Sequence, residues 1–183
     1  MKRLLTSVEE APVVERDGYH YLVHPISNGL PTLDPALIRE VVNGIVETTA
    51  LEDVDKIVSP VTMGIHVAAA VSLVTDIPLV VVRDREYGLP GEASFERPDG
   101  ETLYVNDVQA GDRVLVLDDL VSTGESLAAV VEALADVGAE VVDVSVVVRR
   151  VDTDTVLTDL DVSSLVDVHV HADGAEVVDI VEL

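Results

Sequence analysis

The chain of 183 residues has no cysteine and no tryptophan, and its only lysines are Lys2 and Lys56. Without cysteine, neither a disulfide framework nor a thiolate metal site can form, which fits a reducing cytoplasm, and a cytoplasmic location is expected. Neither lysine follows a glycine, so the Gly-Lys-Ser/Thr loop of P-loop proteins is excluded. The Gly-x-Gly-x-x-Gly fingerprint of dinucleotide-binding folds is also missing.

Positive charge is scarce, since 11 lysines and arginines stand against 35 aspartates and glutamates, for a formal net charge of -24. Such a surface repels phosphates, so no nucleic acid partner is expected. No apolar run approaches the roughly 20 residues that span a bilayer, so no membrane contact is expected either. The acids are spread along the chain rather than gathered in a tail, which indicates a folded protein with an acidic surface suited to concentrated salt.

Apolar residues make up 48% of the chain and aromatic residues only 3%, a composition that suits buried strands covered by helices. Continuous apolar runs alternate with patterns of helical period. The expected strands are 56–59, 79–82, 114–117 and 141–148, and the expected helices are 34–51, 65–74 and 125–137. The alternation predicts one α/β domain over 1–183, with a mostly parallel twisted sheet of about five strands and helices on both faces.

Less regular segments flank a core of about 35–150. The pattern predicts a helix at 2–11, a strand at 19–24, a turn at 27–31 and a hairpin at 166–181. Residues 84–100 are mostly polar and rich in glycine and proline, and 102–106 return as a strand. Such a long polar connection is typical of a lid or binding loop. We therefore expect a mobile lid hairpin at about 84–105 and a small hood built from the N- and C-terminal segments.

The most informative segment is 114–126, where an apolar strand leads into two carboxylates, a small-residue loop and a helix. Amide groups at a helix start lack intrahelical partners and, with the helix dipole, form a phosphate site that requires no lysine. Asp118 and Asp119 directly precede it, and ionised carboxylates are acceptors that suit a sugar diol. The order of residues indicates a sugar-phosphate site. The alternative is that Asp119 caps the helix and Asp118 is a surface acid.

This segment resembles the phosphoribosyl pyrophosphate signature of type I phosphoribosyltransferases. The resemblance implies that Asp118 and Asp119 bind the ribose hydroxyls. It also implies that the 5′-phosphate is held by Val121, Ser122, Thr123, Gly124, Glu125 and Ser126. Residues 59–64 fall where the family has its pyrophosphate loop, which adds Thr62, Met63 and Gly64 as candidates. Arg83 and Arg85, at the start of a lid similar to that of adenine-type enzymes, are the remaining candidates for pyrophosphate binding.

The resemblance also implies a purine base as the second substrate. Residues 19–45 are similar to the archaeal hypoxanthine/guanine-type group, whose enzymes usually carry an aspartate where this chain has Ser122. That acid handles the proton on the purine N7, whereas adenine-type enzymes use a lid glutamate. Residues 94–96 resemble this lid segment, so Glu96 joins Asp118 and Asp119 as a candidate catalytic residue. The implied function is purine salvage, with hypoxanthine or guanine favoured over adenine and with release of pyrophosphate.

Several further expectations follow from the same resemblance. Mg²⁺ is implied, bound mainly through the substrate, and the chain is expected to form a homodimer. Two alternatives stay open: a non-catalytic sensor of phosphoribosyl pyrophosphate or a nucleotide, and a pyrimidine-type phosphoribosyltransferase. His169 and His171 share one face of a strand, but two histidines make only half a zinc site. No metal site formed by the protein itself is therefore expected.

The net charge of -24 predicts that stability depends on salt. Repulsion among the carboxylates destabilises the folded chain, and screening to within about 3 Å at 1 M salt removes most of that repulsion. Thermal unfolding followed by circular dichroism should show a midpoint that rises steeply from dilute buffer to molar salt. Equal midpoints at low and high salt would contradict adaptation to concentrated salt.

Overall fold

The computed structural model describes residues 1–157 and 160–182, and these contain five helices and ten strands. The helices are α1 (Lys2–Glu9), α2 (Pro25–Asn28), α3 (Pro35–Thr48), α4 (Gly64–Thr75) and α5 (Glu125–Val137). The strands are β1 (Val13–Arg16), β2 (Tyr19–Leu22), β3 (Lys56–Pro60), β4 (Leu79–Val82), β5 (Ala93–Glu96), β6 (Thr102–Val105), β7 (Arg113–Val121), β8 (Glu140–Arg150), β9 (Ser163–His171) and β10 (Gly174–Ile180). The predicted alternation of strands and helices is confirmed. Within these residues, no helix has the length and apolar character required to cross a bilayer.

The central sheet has six strands in the order β10-β9-β8-β7-β3-β4. Every neighbouring pair is parallel except β9 and β10, which form the antiparallel hairpin predicted near the C-terminus. The expectation of about five strands was wrong because β9 pairs with β8, so the C-terminal hairpin extends the sheet. The carboxyl ends of the parallel strands share one edge, where ligands bind in open α/β sheets.

The two faces of the sheet are covered separately, because side chains alternate along each strand. On β7, Leu115 and Leu117 contribute to the core under α3, α4 and the N-terminal elements. Val114 and Val116 contribute to the core under α5. The predicted lid hairpin is present as the antiparallel pair β5–β6, whose buried residue Leu103 packs into the α5 side. Helices on both faces of a mostly parallel sheet confirm the predicted fold class.

β7 extends further than the sequence predicts. The apolar run ends at Leu117, but the strand continues through both acids to Val121. Asp118 pairs with Val146 of β8, and Leu120 pairs with Val148, so the neighbouring ladder carries the backbone past the apolar residues. The acid pair therefore has the regular geometry of a strand rather than that of a loop.

The N-terminal elements α1, β1, β2 and α2 form the layer that we call the hood, residues 2–28. A short helix, α2, lies where a turn was predicted, and His24 caps it by accepting a hydrogen bond from the Ile26 N–H at 3.2 Å. The other ring nitrogen of His24 bonds the Ser7 hydroxyl at 2.9 Å. Burial lowers the pKa of His24 to about 4, so its ring stays neutral at neutral pH and keeps this acceptor.

Candidate active site

The predicted phosphate-binding residues, 121–126, lie between the end of β7 and the start of α5, and we call them the phosphate cradle. Gly124 has a φ of 81°, in the left-handed region that favours glycine. A Cβ at Gly124 would also collide with the side chain of Leu157, which covers this turn. The first amides of α5 have no intrahelical acceptor. They border a cavity of about 210 Å³ lined by residues 120–127 and Asp118.

The acid pair adjoins this cradle at the end of β7. Asp118 Oδ1 accepts a hydrogen bond from the Asp119 N–H at 2.9 Å. Burial, and then the charge of Asp119, raise the pKa of Asp118 well above its ordinary value. Burial also raises the pKa of Asp119 to about 6, although the neighbouring Asp118 carboxyl and the nearby Ser27 hydroxyl of the hood oppose the rise. The site thus buries two adjacent carboxyl groups, and the charge of Asp119 opposes ionisation of Asp118, which favours a ligand that donates hydrogen bonds or carries positive charge.

The predicted pyrophosphate loop lies against the acid pair because Gly64 begins α4 beside Asp118. A Cβ at Gly64 would collide with the Asp118 carboxylate and would lie 2.8 Å from Ser59 Oγ. Ser59 is fully buried, and its hydroxyl has no hydrogen-bond partner in the described part of the chain. Of the other predicted contacts, Thr62 is exposed to solvent and the Met63 side chain lies beside Gly29, directly after the hood.

The two predicted lid arginines differ in their surroundings. Arg83 donates hydrogen bonds to Glu92 at 2.7 Å and to Asn106 at 2.6 Å, which ties the start of the lid to its return. Glu92 in turn accepts from the Gly88 N–H at 2.8 Å. Arg83 therefore organises the lid from within, and its role in binding pyrophosphate stays a prediction. Arg85 is exposed, and its role in binding pyrophosphate stays a prediction.

Glu96, the predicted proton-handling residue, lies on β5 over the first turns of α5. It lines a groove of about 490 Å³ together with Glu125 and Glu132. The structure places its exposed side chain on the α5 side of the phosphate cradle and does not bring it beside Ser122. A role for Glu96 in the reaction therefore requires the lid to move, and it stays a prediction.

Tyr19 is a site residue whose importance the sequence did not reveal. Its hydroxyl shares a hydrogen bond of 2.9 Å with Ser122 Oγ, which joins the hood to the phosphate cradle. The guanidinium carbon of Arg150 lies 4.7 Å from the centroid of the Tyr19 ring, a cation–π contact. Arg150 also donates to the backbone oxygen of His20 at 2.7 Å and to Asp152 at 2.6 Å. One feature of the sequence could have indicated this network. Arg149 and Arg150 follow each other at the end of an apolar strand, in a chain poor in positive charge.

A second cavity, of about 300 Å³, adjoins the cradle at Ser122, and we call it the Ser122 cavity. The Thr153 hydroxyl borders it and is buried without a hydrogen-bond partner in the described residues. Arg149 borders it as well and is held by Asp167 through two hydrogen bonds. Among the described residues, its lining is Val121, Ser122, Arg149, Arg150, Val151, Thr153, Thr155, Leu157, Leu160, Asp161 and Val162.

Comparison with known proteins decides the family. The family model described as phosphoribosyl transferase domain matches residues 34–177. HGPRTase-like protein 2 of Haloferax volcanii is 56% identical over 182 residues, which cover 97% of this chain and 99% of that protein. The chain belongs to the phosphoribosyltransferase family. The HGPRTase-like protein of Halobacterium salinarum is 52% identical over 97% of this chain and 96% of that protein.

Solved phosphoribosyltransferase structures share the fold. Adenine phosphoribosyltransferase from Thermoanaerobacter pseudethanolicus superposes with a TM-score of 0.75 at 22% identity, covering 91% of this chain and 98% of that one. Purine phosphoribosyltransferase from Pyrococcus horikoshii superposes with a TM-score of 0.55 at 18% identity, covering 78% of this chain and 88% of that one. The predicted type I phosphoribosyltransferase fold and the resemblance to the purine group are confirmed. Family membership makes the chain a glycosyltransferase of the pentosyltransferase class, and relatives from halophilic archaea fit its acidic composition.

Replacing the buried acids should raise the stability of the protein and lower its turnover. Because the pKa of Asp119 rises from 3.8 to about 6 on folding, the folded state binds the extra proton and stability falls as pH rises through this window. Asp119→Asn removes that charge. At neutral pH its free energy of unfolding should exceed that of the wild type by on the order of 1–2 kcal/mol, and the gain should vanish below about pH 4.

Replacing the acids should lower turnover. The double variant Asp118→Asn, Asp119→Asn should keep the fold and lose about 100-fold or more in kcat, because the acceptors for the sugar hydroxyls are weakened. Chemical unfolding across pH and a steady-state assay measure the two effects. Asp53→Asn, at an exposed loop acid, is the control. Near-normal turnover in the double variant would show that the acid pair lies outside the active site.

Proposed function

We propose that this protein transfers the phosphoribosyl group of phosphoribosyl pyrophosphate to a 6-oxo purine, hypoxanthine or guanine, and releases pyrophosphate. The observation that carries the proposal is the adjacency of three features at one edge of the sheet. The phosphate cradle adjoins both the Asp118–Asp119 pair and the Ser122 cavity. This arrangement supports the binding of a phosphate, a sugar diol and a planar base next to one another.

The reaction forms one bond and breaks another at C1′ of the sugar. A ring nitrogen of the purine bonds to C1′ and loses its proton, while the bond from C1′ to pyrophosphate breaks and its electron pair leaves on pyrophosphate. The cradle amides hold the 5′-phosphate, and Asp118 and Asp119 accept hydrogen bonds from the ribose hydroxyls. Both carboxylates also stabilise the positive charge that develops on the sugar as pyrophosphate departs. Closure of the lid would exclude water, which competes with the purine.

Magnesium enters the proposal with the substrate. The acid pair fits such a partner, because a neighbouring cation stabilises the ionised forms of two buried carboxyl groups whose pKa values are raised by burial. Their oxygen atoms are also the ligands that Mg²⁺ prefers. When bound with the substrate, the ion neutralises charge on the departing pyrophosphate. A cytoplasmic location belongs to the same proposal and fits a chain without cysteine.

The Ser122 cavity favours a 6-oxo purine over adenine, because two guanidinium groups line it. The oxo group is an acceptor, and guanidinium groups are donors only. Arg149 and Arg150 each make three hydrogen bonds within the protein. Each guanidinium has five N–H groups, so donors remain for a ligand. Thr153 can turn its unpartnered O–H toward the same group, whereas Asp161, an acceptor in the lining, is exposed. The HGPRTase-like names of the halophilic relatives support the same choice.

Competition among the three bases tests this choice. With phosphoribosyl pyrophosphate and Mg²⁺ in molar salt, kcat/KM for hypoxanthine or guanine should exceed that for adenine by about 100-fold or more, since the wrong base leaves buried donors unpaired. Thr153→Val should reduce this difference in kcat/KM between the 6-oxo purines and adenine, and it should leave the KM for phosphoribosyl pyrophosphate unchanged. Preference for adenine would reject the base assignment. Binding of phosphoribosyl pyrophosphate without turnover of any base would favour the sensor alternative.

The lid glutamate is tested separately. If Glu96 moves the purine proton after the lid closes, Glu96→Gln should lower kcat by about 10- to 1,000-fold and shift the pH profile, with little change in KM. Glu86→Gln, at an exposed acid elsewhere in the lid, is the charge-matched control. Full activity of Glu96→Gln would remove Glu96 from the reaction.

We further propose a homodimer formed through α4. Leu73 and Val74 near the end of this helix have exposed fractions of 81% and 61%, and neighbouring apolar side chains at such exposure mark contact surfaces. Light scattering in molar salt should give twice the chain mass of 19.5 kDa. Leu73→Glu should give the single mass, because it places a charge in the interface. Leu89→Glu, at a lid leucine with an exposed fraction of 57%, should leave the dimer intact. A monomeric, active wild type would contradict the proposal.

A further inference from the structure

A cluster of possible metal ligands lies on the C-terminal hairpin, two strands away from the acid pair. His169 and His171 are two residues apart on β9 and therefore share a face. Glu176 on β10 is directly opposite His169 in the antiparallel register. One ligand atom from each of the three lies within 4.8 Å of the others. Among residues 1–157 and 160–182, no other group of three or more His, Asp or Glu side chains meets this condition.

The backbone fixes the spacing of these side chains. On the opposite face of β9, Val168 and Val170 are buried in the core, so β9 cannot rotate and turn the two histidines away from Glu176. The pairing of β9 with β10 sets Glu176 across from His169. His171 Nε2 and Glu176 Oε2 are already 3.7 Å apart. Tetrahedral zinc with bonds of about 2.0–2.2 Å holds its ligand atoms roughly 3.3–3.6 Å apart. Small rotations of His171 and Glu176, both of which are exposed, would close the remaining gap.

We propose that His169, His171 and Glu176 form a binding site for a divalent transition metal of the zinc type. Two imidazoles and one carboxylate are ligands that zinc, cobalt and nickel bind well, whereas Mg²⁺ prefers oxygen ligands alone. The cluster supplies three protein ligands and leaves the outer side of the site open to water. The ion would clamp β9 to β10, the edge strand of the sheet, and so hold the C-terminal hairpin in its register. This site is independent of the proposed transfer reaction.

The competing explanation is a simple ion pair between His171 and Glu176, and metal binding by the purified chain distinguishes the two. Equilibrium dialysis against zinc sulfate in molar potassium nitrate should give one zinc per chain. The thermal midpoint should rise with zinc and not with magnesium, because a ligand of the folded state stabilises it. Cobalt in place of zinc should give the visible absorption of a tetrahedral or five-coordinate site.

Three single variants locate the ion, and two others are controls. His169→Ala and His171→Ala should each weaken zinc binding by about tenfold or more and abolish the rise in midpoint, since each removes one of three protein ligands. Glu176→Gln should do the same, whereas Asp179→Asn, which removes one charge from the same strand, should not. His20→Ala is the control for loss of a histidine elsewhere. Absence of zinc binding, or unchanged binding in His169→Ala and His171→Ala, would overturn the proposal. Circular dichroism confirms that each variant is folded.

Discussion

The two adjacent carboxylates at the end of β7 constrain the structure around them. They lie in the central sheet, where the ladder with β8 holds the backbone of Asp118 in place. The start of α4 approaches so closely that only glycine fits at Gly64. The hood supplies Ser27 beside Asp119, which offsets part of the cost of burial. Three separate segments are thus arranged around two buried carboxyl groups, and the proposed sugar and cation would supply them with hydrogen-bond donors and positive charge.

The hood is joined to this centre by one short network. Tyr19 bonds Ser122 of the phosphate cradle, and Arg150 packs on the Tyr19 ring while holding the His20 carbonyl. Arg150 is itself fixed by Asp152, which follows β8. The resemblance led us to expect an acid at position 122 in a hypoxanthine/guanine-type enzyme. In this chain the Ser122 hydroxyl has a structural partner in the hood, and this bond joins the hood to the cradle.

The sequence predicted those features that depend on local residue order. Residues 114–126 form a strand, a cradle and a helix start because each step is encoded by neighbouring residues. The features it missed depend on contacts between distant segments. The end of β7 is set by pairing with β8 rather than by the apolar run, and Tyr19 is 103 residues from its partner Ser122. Glu176 completes the histidine cluster only through the register of β9 with β10, which also contains a bulge after Val177. A strand pattern alone cannot specify such pairings.

The phosphate cradle consists of backbone amides and hydroxyls, and most of the arginines are bonded to acids within the chain. A recognition site built on free lysines would attract its anion over long distances, and molar salt would cancel most of that attraction. Amide dipoles act only at contact, where mobile ions do not intervene. We therefore expect salt concentration to change the stability of this chain much more than the affinity of the proposed cradle for a phosphate. Stability and substrate affinity would then be adjustable independently of each other.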